Sequence, residues 1–425
     1  MEFRRVLFRS GYGAVTYDSF EAVNVIAAPI IYAPAAALRI SEGDDLPVSV
    51  RVGPFDASAA TQWSVNPLGA GAALDGELEW DIDGDGRFGE VTGSDFTLSW
   101  AQLVDLGLGD DGQYQIAVKA TNASGFSSIG FATLTVDNTA PAIALDGSAS
   151  VLADQVWRLA LSSTDPGDDQ ITAWTIDWQD GSPTVEAGSN ASFADHVFRE
   201  PGRYTVQVTG TDEDTSVVAT RVVDVTVTDA QVSVGGPYEI REGETWTLQA
   251  GAVGTPTQVR WDVNGDGVVD ATTAGLQLTQ TWDQLQALPQ NPIDDNGMFA
   301  PRITVVYASG DSATSAAGSL LVLNTAPTAS LASQGPVAEG EDARVVFSAP
   351  FDPSASDTGA GFGYRIVLDS AFGHFETELT STEAQVELVI PAAFVLDAGS
   401  YTVHGRITDQ DGGFTEQQAT VVVQE

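Results

Sequence analysis

Four times along the chain, a Gly-x-aromatic step opens a stretch of alternating apolar and polar residues. The steps are Gly112-Gln113-Tyr114, Gly202-Arg203-Tyr204, Gly297-Met298-Phe299 and Gly399-Ser400-Tyr401. Behind them Ile116 and Val118, Val206 and Val208, Ile303 and Val305, and Val403 with Ile407 fall two by two. That is the period of a strand with one buried face. The aromatic positions lie 90, 95 and 102 residues apart, so the chain is a repeat of a small unit. An apolar residue followed by Asp marks each unit a second time, at Trp80-Asp81, Ile176-Asp177, Trp261-Asp262 and Leu368-Asp369. Glu-Gly before a strand marks the fronts at Glu42-Gly43, Glu242-Gly243 and Glu339-Gly340, with Asp154-Gln155 near that place in the second unit. Thr139–Pro141 and Thr325–Pro327 read as linkers.

These landmarks divide the body into units at 34–138, 139–229, 230–325 and 326–425. Each unit carries short strands with turn residues every 8–12 positions and no convincing amphipathic helix. The fold expected is all-β: tandem immunoglobulin-like antiparallel sandwiches. Two inserts, around Leu98–Leu106 and Leu278–Leu288, share Trp-x-Gln-Leu at Trp100–Leu103 and Trp282–Leu285. Each predicts one helical turn capping the sandwich end.

Composition narrows the function. Against 59 acidic residues stand 17 basic ones, a net charge of −42, and Lys119 is the one lysine. Such a surface repels phosphate backbones and anionic lipid, which excludes nucleic acid as a partner. With 43% apolar residues and nine Trp, the chain has the means to fill several cores and is not an acidic disordered tail. It has no Cys, hence neither disulfide staples nor thiolate chemistry. No apolar run approaches the ~18 residues of a membrane-spanning segment. The Arg-rich segment 1–10 lacks the apolar stretch of a signal peptide and reads as a non-native scar. Residues 11–33 read as the C-terminal remnant of a preceding β domain. The chain stops just after a strand at Ala419–Val423, as expected of a fragment of a longer array.

The sharpest candidate chemistry lies in two acidic loops, at Asp81, Asp83, Asp85, Arg87 and Glu90, and at Asp262, Asn264, Asp266, Val268 and Asp270. Both follow D-x-[DN]-x-D-G, the first half of an EF-hand-like calcium loop. Side chains at positions 1, 3 and 5 aim at one centre, Gly86 or Gly267 allows the sharp turn, and the carbonyl of Arg87 or Val268 adds an oxygen. Thr92 and Thr273 stand where a bidentate Glu is expected, so a neighbouring loop or water would have to complete the coordination. The competing reading is a plain Asp-Gly hairpin turn. Units 2 and 4 build the same turn without the acidic triplet, which argues that the sandwich itself does not need it. Magnesium, which demands a tighter octahedron, fits less well than calcium. Asp137-Asn138 at the first linker stays open between turn polarity and a second calcium site.

No arrangement of catalytic residues emerges. His196, His374 and His404 do not cluster in sequence; His196 is expected to be structural, His404 to face solvent and His374 to sit in a turn. Trp80, Trp261, Trp157 and Trp246 are expected in the core, the last two by their period with Leu159, Leu161 and Leu248. Trp63 and Trp174 are less well placed: partial burial is expected, and exposure would fit sugar stacking. Tyr114, Tyr204 and Tyr401 are expected to lock nearby backbone through their hydroxyls, in the manner of a tyrosine corner.

The second unit, from Trp174 to Asp214, resembles the polycystic-kidney-disease (PKD) domain. Asp177, Asp180, Gly181, His196, Phe198, Pro201, Gly202, Tyr204, Val206, Val208 and Asp212 match that pattern in one register. The first unit lacks His and Pro before Gly112, the third has Phe299 for Tyr, and the fourth has Leu368-Asp369-Ser370 without Gly-Asp-Gly. The resemblance implies extracellular spacer and adhesive arrays, or accessory modules beside secreted hydrolases, and not catalysis. The function expected is therefore a non-catalytic extracellular or cell-surface spacer, stiffened by calcium in the first and third units. Its partners would be other domains of a longer surface protein, with polysaccharide or extracellular protein as a possible ligand. The alternative is a carbohydrate- or protein-binding accessory module of a secreted hydrolase.

Overall fold

The computed structural model describes residues 30–32, 38–53, 77–121, 125 and 127–425, with the backbone alone at 30–32 and 51–53. Segment 1–10, most of the segment read as a domain remnant, and Trp63 lie outside the described residues. What is described is a series of β-sandwiches, each closing on its own core.

Each Gly-x-aromatic step opens a strand: Gly112–Thr121, Gly202–Thr211, Gly297–Phe299 and Gly399–Thr408. In three sandwiches it is a ten-residue strand near the middle of a five-stranded sheet. In the third it breaks after Phe299 and resumes at Arg302–Val306. Pro301 explains the break, because it has no N–H to give a ladder. The five-stranded sheet of the other sandwiches is accordingly divided in the third into a four-stranded and a three-stranded sheet, beside two two-stranded ones.

One pairing departs from the all-antiparallel expectation. In every sandwich a short front strand runs parallel to the last one: Leu38–Ser41 beside Ser127–Asp137 and Ser150–Leu152 beside Ser216–Thr226. Tyr238–Arg241 lies likewise beside Leu320–Leu323, and Val337–Ala338 beside Phe414–Gln424. The chain enters along one sheet and switches to the edge of the other before the first turn. Ile30–Tyr32 also pairs, antiparallel, with Arg51–Gly53. The first sandwich therefore reaches back to Ile30, inside the stretch read above as part of a preceding domain.

Four hydrophobic clusters fill the sandwiches, one from each stretch of the repeat. Trp80, Trp157, Trp246 and Trp261 are buried in them as expected, Trp157 and Trp246 on the faces their period predicts. Trp174 is 2% exposed, so it offers no sugar-stacking face. The tyrosine hydroxyls of Tyr114, Tyr204 and Tyr401 donate to the carbonyls of Asp110, Glu200 and Asp397 at 2.7, 3.0 and 2.8 Å. The third sandwich, with Phe299 in that place, has instead Tyr238 donating to Val234 O at 3.0 Å.

Both Trp-x-Gln-Leu inserts are helical, Trp100–Asp105 and Trp282–Gln286, each opened by a capping box at Ser99 or Thr281. Leu103 and Leu285 point into the cores. The tryptophan of each helix reaches the next sandwich. Trp100 Nε1 donates to Pro166 O, and Trp282 Nε1 to Pro353 O, both at 2.7 Å. A third short helix, Ala355–Ala360, was not expected, for its small residues give no apolar period. Ser354 caps it by accepting Asp357 N.

Candidate metal centres

The first loop leaves the strand Glu77–Asp81, whose last carboxylate turns inward and is 4% exposed. Asp81 Oδ2 accepts Gly86 N at 3.0 Å, while Oδ1 is buried with no hydrogen-bond partner. Asp83 Oδ1 accepts Asp85 N at 2.9 Å, Asp85 Oδ1 accepts Arg87 N at 2.8 Å, and Glu90 Oε2 accepts Ile82 N at 2.6 Å. Gly84 and Gly86 hold φ of 72° and 84°, which lets the loop curl without Cβ strain. Oxygens of Asp81, Asp83, Asp85 and Glu90 lie within 4.8 Å of one another. Burial, with Asp83 and Asp81 nearby, pushes the Glu90 carboxyl above its ordinary value although Ile82 N pulls the other way. Arg87 turns its guanidinium outward, 3.6 Å from Asp85.

The second loop has the same curl but employs its side chains differently. Asp262 Oδ1 accepts Gly265 N and Asp266 N at 2.8 and 3.1 Å, and Oδ2 accepts Gly267 N at 2.9 Å. Asn264 donates to the carbonyls of Gln290 and Asn291 at 2.6 and 2.9 Å, and its Oδ1 accepts Asp266 N at 3.1 Å. Asp266 Oδ1 in turn accepts Val268 N at 2.8 Å. Asp270 Oδ2 accepts Val263 N at 2.7 Å and leaves Oδ1 buried and unpartnered. Burial, reinforced by Asp266 and Asp262, raises the Asp270 carboxyl. The sequence reads the two loops as equals, but backbone amides and the Asn264 amide already occupy much of the second.

The turns of the other two sandwiches are built otherwise. In the second, Asp180 accepts Ser182 N at 3.0 Å and meets His196 Nε2 at 2.7 Å. In the fourth, Asp369 meets His374 Nδ1 at 2.7 Å in a hairpin. His196 also stacks on Trp178 at 4.5 Å. It is a packed structural residue. His404 is exposed.

Sequence reasoning missed Glu42 and Glu242, which it treated only as markers of the front of a unit. Both are 3% exposed. Glu42 Oε2 accepts Thr139 N at 2.9 Å and Glu242 Oε2 accepts Thr325 N at 2.8 Å. In each case the linker threonine hydroxyl also donates to the glutamate's own carbonyl, at 3.1 and 2.9 Å. The readable signal was co-occurrence: Asn138-Thr139 and Asn324-Thr325 follow the two units with this glutamate, and Asp165-Pro166 and Asp352-Pro353 come next. The second unit has Ala153 at the equivalent backbone position, its N–H bonded to the last strand as those of Glu42 and Glu242 are. Asp137, left open above, is held by Arg39 at 2.6 Å, whereas Asn138 Oδ1 is buried and unpartnered.

Residues 138–227 match the family model of the PKD domain. No curated protein matches the chain. Among solved structures, a tetra-tandem repeat from the extending region of a large adhesion protein is similar, with 16% identity and a TM-score of 0.38. The alignment covers 83% of this chain and 92% of that one. A calcium-stabilised adhesin with which an Antarctic bacterium binds ice is similar at 15% identity, over 94% and 99% of the two chains, with a TM-score of 0.24. A Bacteroides ovatus glucan-locus protein, SGBP-B, solved with a mixed-linkage heptasaccharide, is similar at 14% identity, over 93% and 98% of the two chains, with a TM-score of 0.18. Scores this low carry no argument about what the chain does.

Proposed function

Residues 138–227 being a PKD domain within a tandem array of immunoglobulin-like sandwiches, we propose that the chain is a non-catalytic extracellular spacer in a cell-surface or secreted adhesive protein. Its task is to hold neighbouring domains of a longer protein at a distance. Each sandwich folds on its own core, short linkers limit the hinges, and like charge discourages collapse. Calcium in the acidic loops of the first and third sandwiches stiffens the array. The observation that carries the metal is the convergence of Asp81, Asp83, Asp85 and Glu90 on one point, with Asp81 Oδ1 buried and unpartnered. An all-oxygen, irregular donor set suits calcium better than magnesium.

The test is a thermal melt of the chain in chelator, in millimolar calcium and in magnesium. Calcium at a hundredfold over its dissociation constant stabilises a site's sandwich by about 2.7 kcal/mol. The expected result is a calcium-specific rise, diminished in Asp81→Ala and further in Asp81→Ala with Asp262→Ala. An undiminished rise in the double variant would reduce both loops to acidic turns.

The rival, a polysaccharide-gripping accessory module, calls for exposed aromatics along one face. Among the described residues the tryptophans are buried or half-buried. Of the exposed phenylalanines, Phe193 and Phe414 each lie under a guanidinium, Arg158 or Arg406, at 4.0 Å. Retention of the chain on insoluble polysaccharide would nonetheless restore that reading.

A further inference from the structure

A second kind of acidic cluster lies away from the loops, where the first sandwich meets the second and again where the third meets the fourth. At the first junction, oxygens of Glu42, Asp110 and Asp111 lie within 4.8 Å of one another, and so do those of Glu42, Asp165 and Asp169. At the other, Glu242, Asp295 and Asp357 converge, and so do Asp352, Asp357 and Asp409. Each junction thus has two overlapping groups sharing one carboxylate, with donors from both sandwiches.

Burial separates these clusters from ordinary surface acid. Glu42 is 3% and Asp169 7% exposed; Glu242 is 3%, Asp352 5% and Asp357 0%. Glu42 Oε1, Asp165 Oδ2, Asp169 Oδ2, Glu242 Oε1, Asp352 Oδ2 and both Asp357 oxygens are buried without a hydrogen-bond partner. The partnered oxygens are fixed by backbone: Asp165 Oδ1 accepts Gly167 N and Asp352 Oδ1 accepts Ser354 N, both at 2.8 Å, while threonine amides hold the glutamates. One oxygen is anchored and its twin is left facing the cluster. No Lys or Arg among the described residues pairs with these carboxylates. Several unpaired charges buried together cost far more than a fold retains without compensation. Burial first, and then the neighbouring carboxylates, push Asp169, Glu242 and Asp357 up to about 7 and Asp352 to about 6. Such a cluster is neutralised either by protons or by a cation seated among the unpartnered oxygens.

The geometry points to calcium held between sandwiches, at the first–second and third–fourth junctions and not at the second–third. A hard divalent cation matches donors that are all oxygen, and calcium tolerates the irregular, many-liganded shell these side chains offer. At the second–third junction Ala153 stands where Glu42 and Glu242 stand, and Tyr307 occupies the place, eight residues beyond the strand aromatic, that Asp409 takes in the fourth sandwich. There Glu200 accepts Thr255 N at 2.9 Å and Gln231 donates to Ala153 O at 2.8 Å. None of the carboxylate groups among the described residues falls there. Calcium would make two stiff pairs joined by a junction indifferent to it. This is independent of the two acidic loops, which each lie within one sandwich.

The experiment starts from the loop-deleted chain, Asp81→Ala with Asp262→Ala, and adds Glu42→Gln with Asp169→Asn, or Glu242→Gln with Asp357→Asn. Because the chain has no Cys, spin labels can be placed in pairs on cysteines introduced at exposed Gln113, Thr205, Thr272 and Thr402. Calorimetric titration should find calcium still bound after the loops are removed, with at least one ion lost for each junction neutralised. Pulsed dipolar distances should narrow with calcium for Gln113–Thr205 and Thr272–Thr402, and stay unchanged for Thr205–Thr272. Neutralised junctions should melt in chelator no lower than the parent, because the substitutions remove repulsion. Persistence of all calcium binding in the junction variants would overturn the inference. So would equal narrowing at all three junctions, or no calcium bound once the loops are gone.

Discussion

Asp180 shows how much one side chain can carry. Burial disfavours its charge, but the Ser182 hydroxyl and amide and the His196 ring outweigh that and hold the carboxyl below its ordinary value. His196 is pinned in turn between Trp178 and Phe198, the latter at 4.6 Å edge to face. Asp180→Asn leaves these donors short of an acceptor and should destabilise the second sandwich by about 1–3 kcal/mol, read as a lower melting transition for that sandwich. The sign with pH follows: a depressed carboxyl contributes stability above the unfolded value of about 4 and loses it as pH falls through the folded one. The variant's deficit should therefore shrink in acid, and a deficit that is constant with pH would argue against the pairing. At this scale the sequence was legible wherever a residue type implies its partner: a tyrosine near a turn, a histidine beside Asp-Gly, a tryptophan on an apolar face. It was silent on which carboxylate oxygens are left over. Glu42 and Glu339 both precede Gly, yet Glu42 is buried at a junction whereas Glu339 is exposed and accepts Ala398 N.

Strands were readable because their period of two survives every neighbour, and the two capped helices because Trp-x-Gln-Leu interrupts that period. Helix Ala355–Ala360 was not, because it owes its place to a cap and to Asp357 rather than to apolar spacing. The parallel front strand was equally hidden, since a strand of two to four residues alternates alike in either direction. What the Trp282 helix contributes can be measured. Trp282→Ala removes a buried indole from the third core and should cost about 3–5 kcal/mol. Trp282→Phe keeps most of the packing and loses the bond to Pro353 O, which Gln286 Nε2 also contacts at 2.8 Å. Since that carbonyl keeps a donor, about 1 kcal/mol is expected. Calorimetry should place the Ala variant's loss in the third sandwich. Equal losses for both substitutions would mean the hydrogen bond, not the packing, holds this helix.

Over the whole molecule the arithmetic of charge and the periodicity of landmarks carried most of the reading. A net charge of −42 with four self-contained cores among the described residues favours an array over a nucleic-acid clamp. Self-repulsion between sandwiches reaches only about 10 Å at 0.1 M salt, so cohesion at the junctions depends on short-range contacts. Those contacts alternate, and the sequence shows the alternation only after the buried glutamates are known. One architectural detail has a mechanical meaning. In each sandwich the short second strand lies parallel to the strand by which the chain leaves. Tension applied to the two ends slides these strands lengthwise past each other, so the rungs between them share the load and must rupture nearly together. An antiparallel pair pulled from one end would instead peel, rung by rung. Under single-molecule stretching the second sandwich should yield in one abrupt step. Replacing Val151, which lies opposite Val225 in that ladder, with proline should lower the rupture force by removing a rung donor.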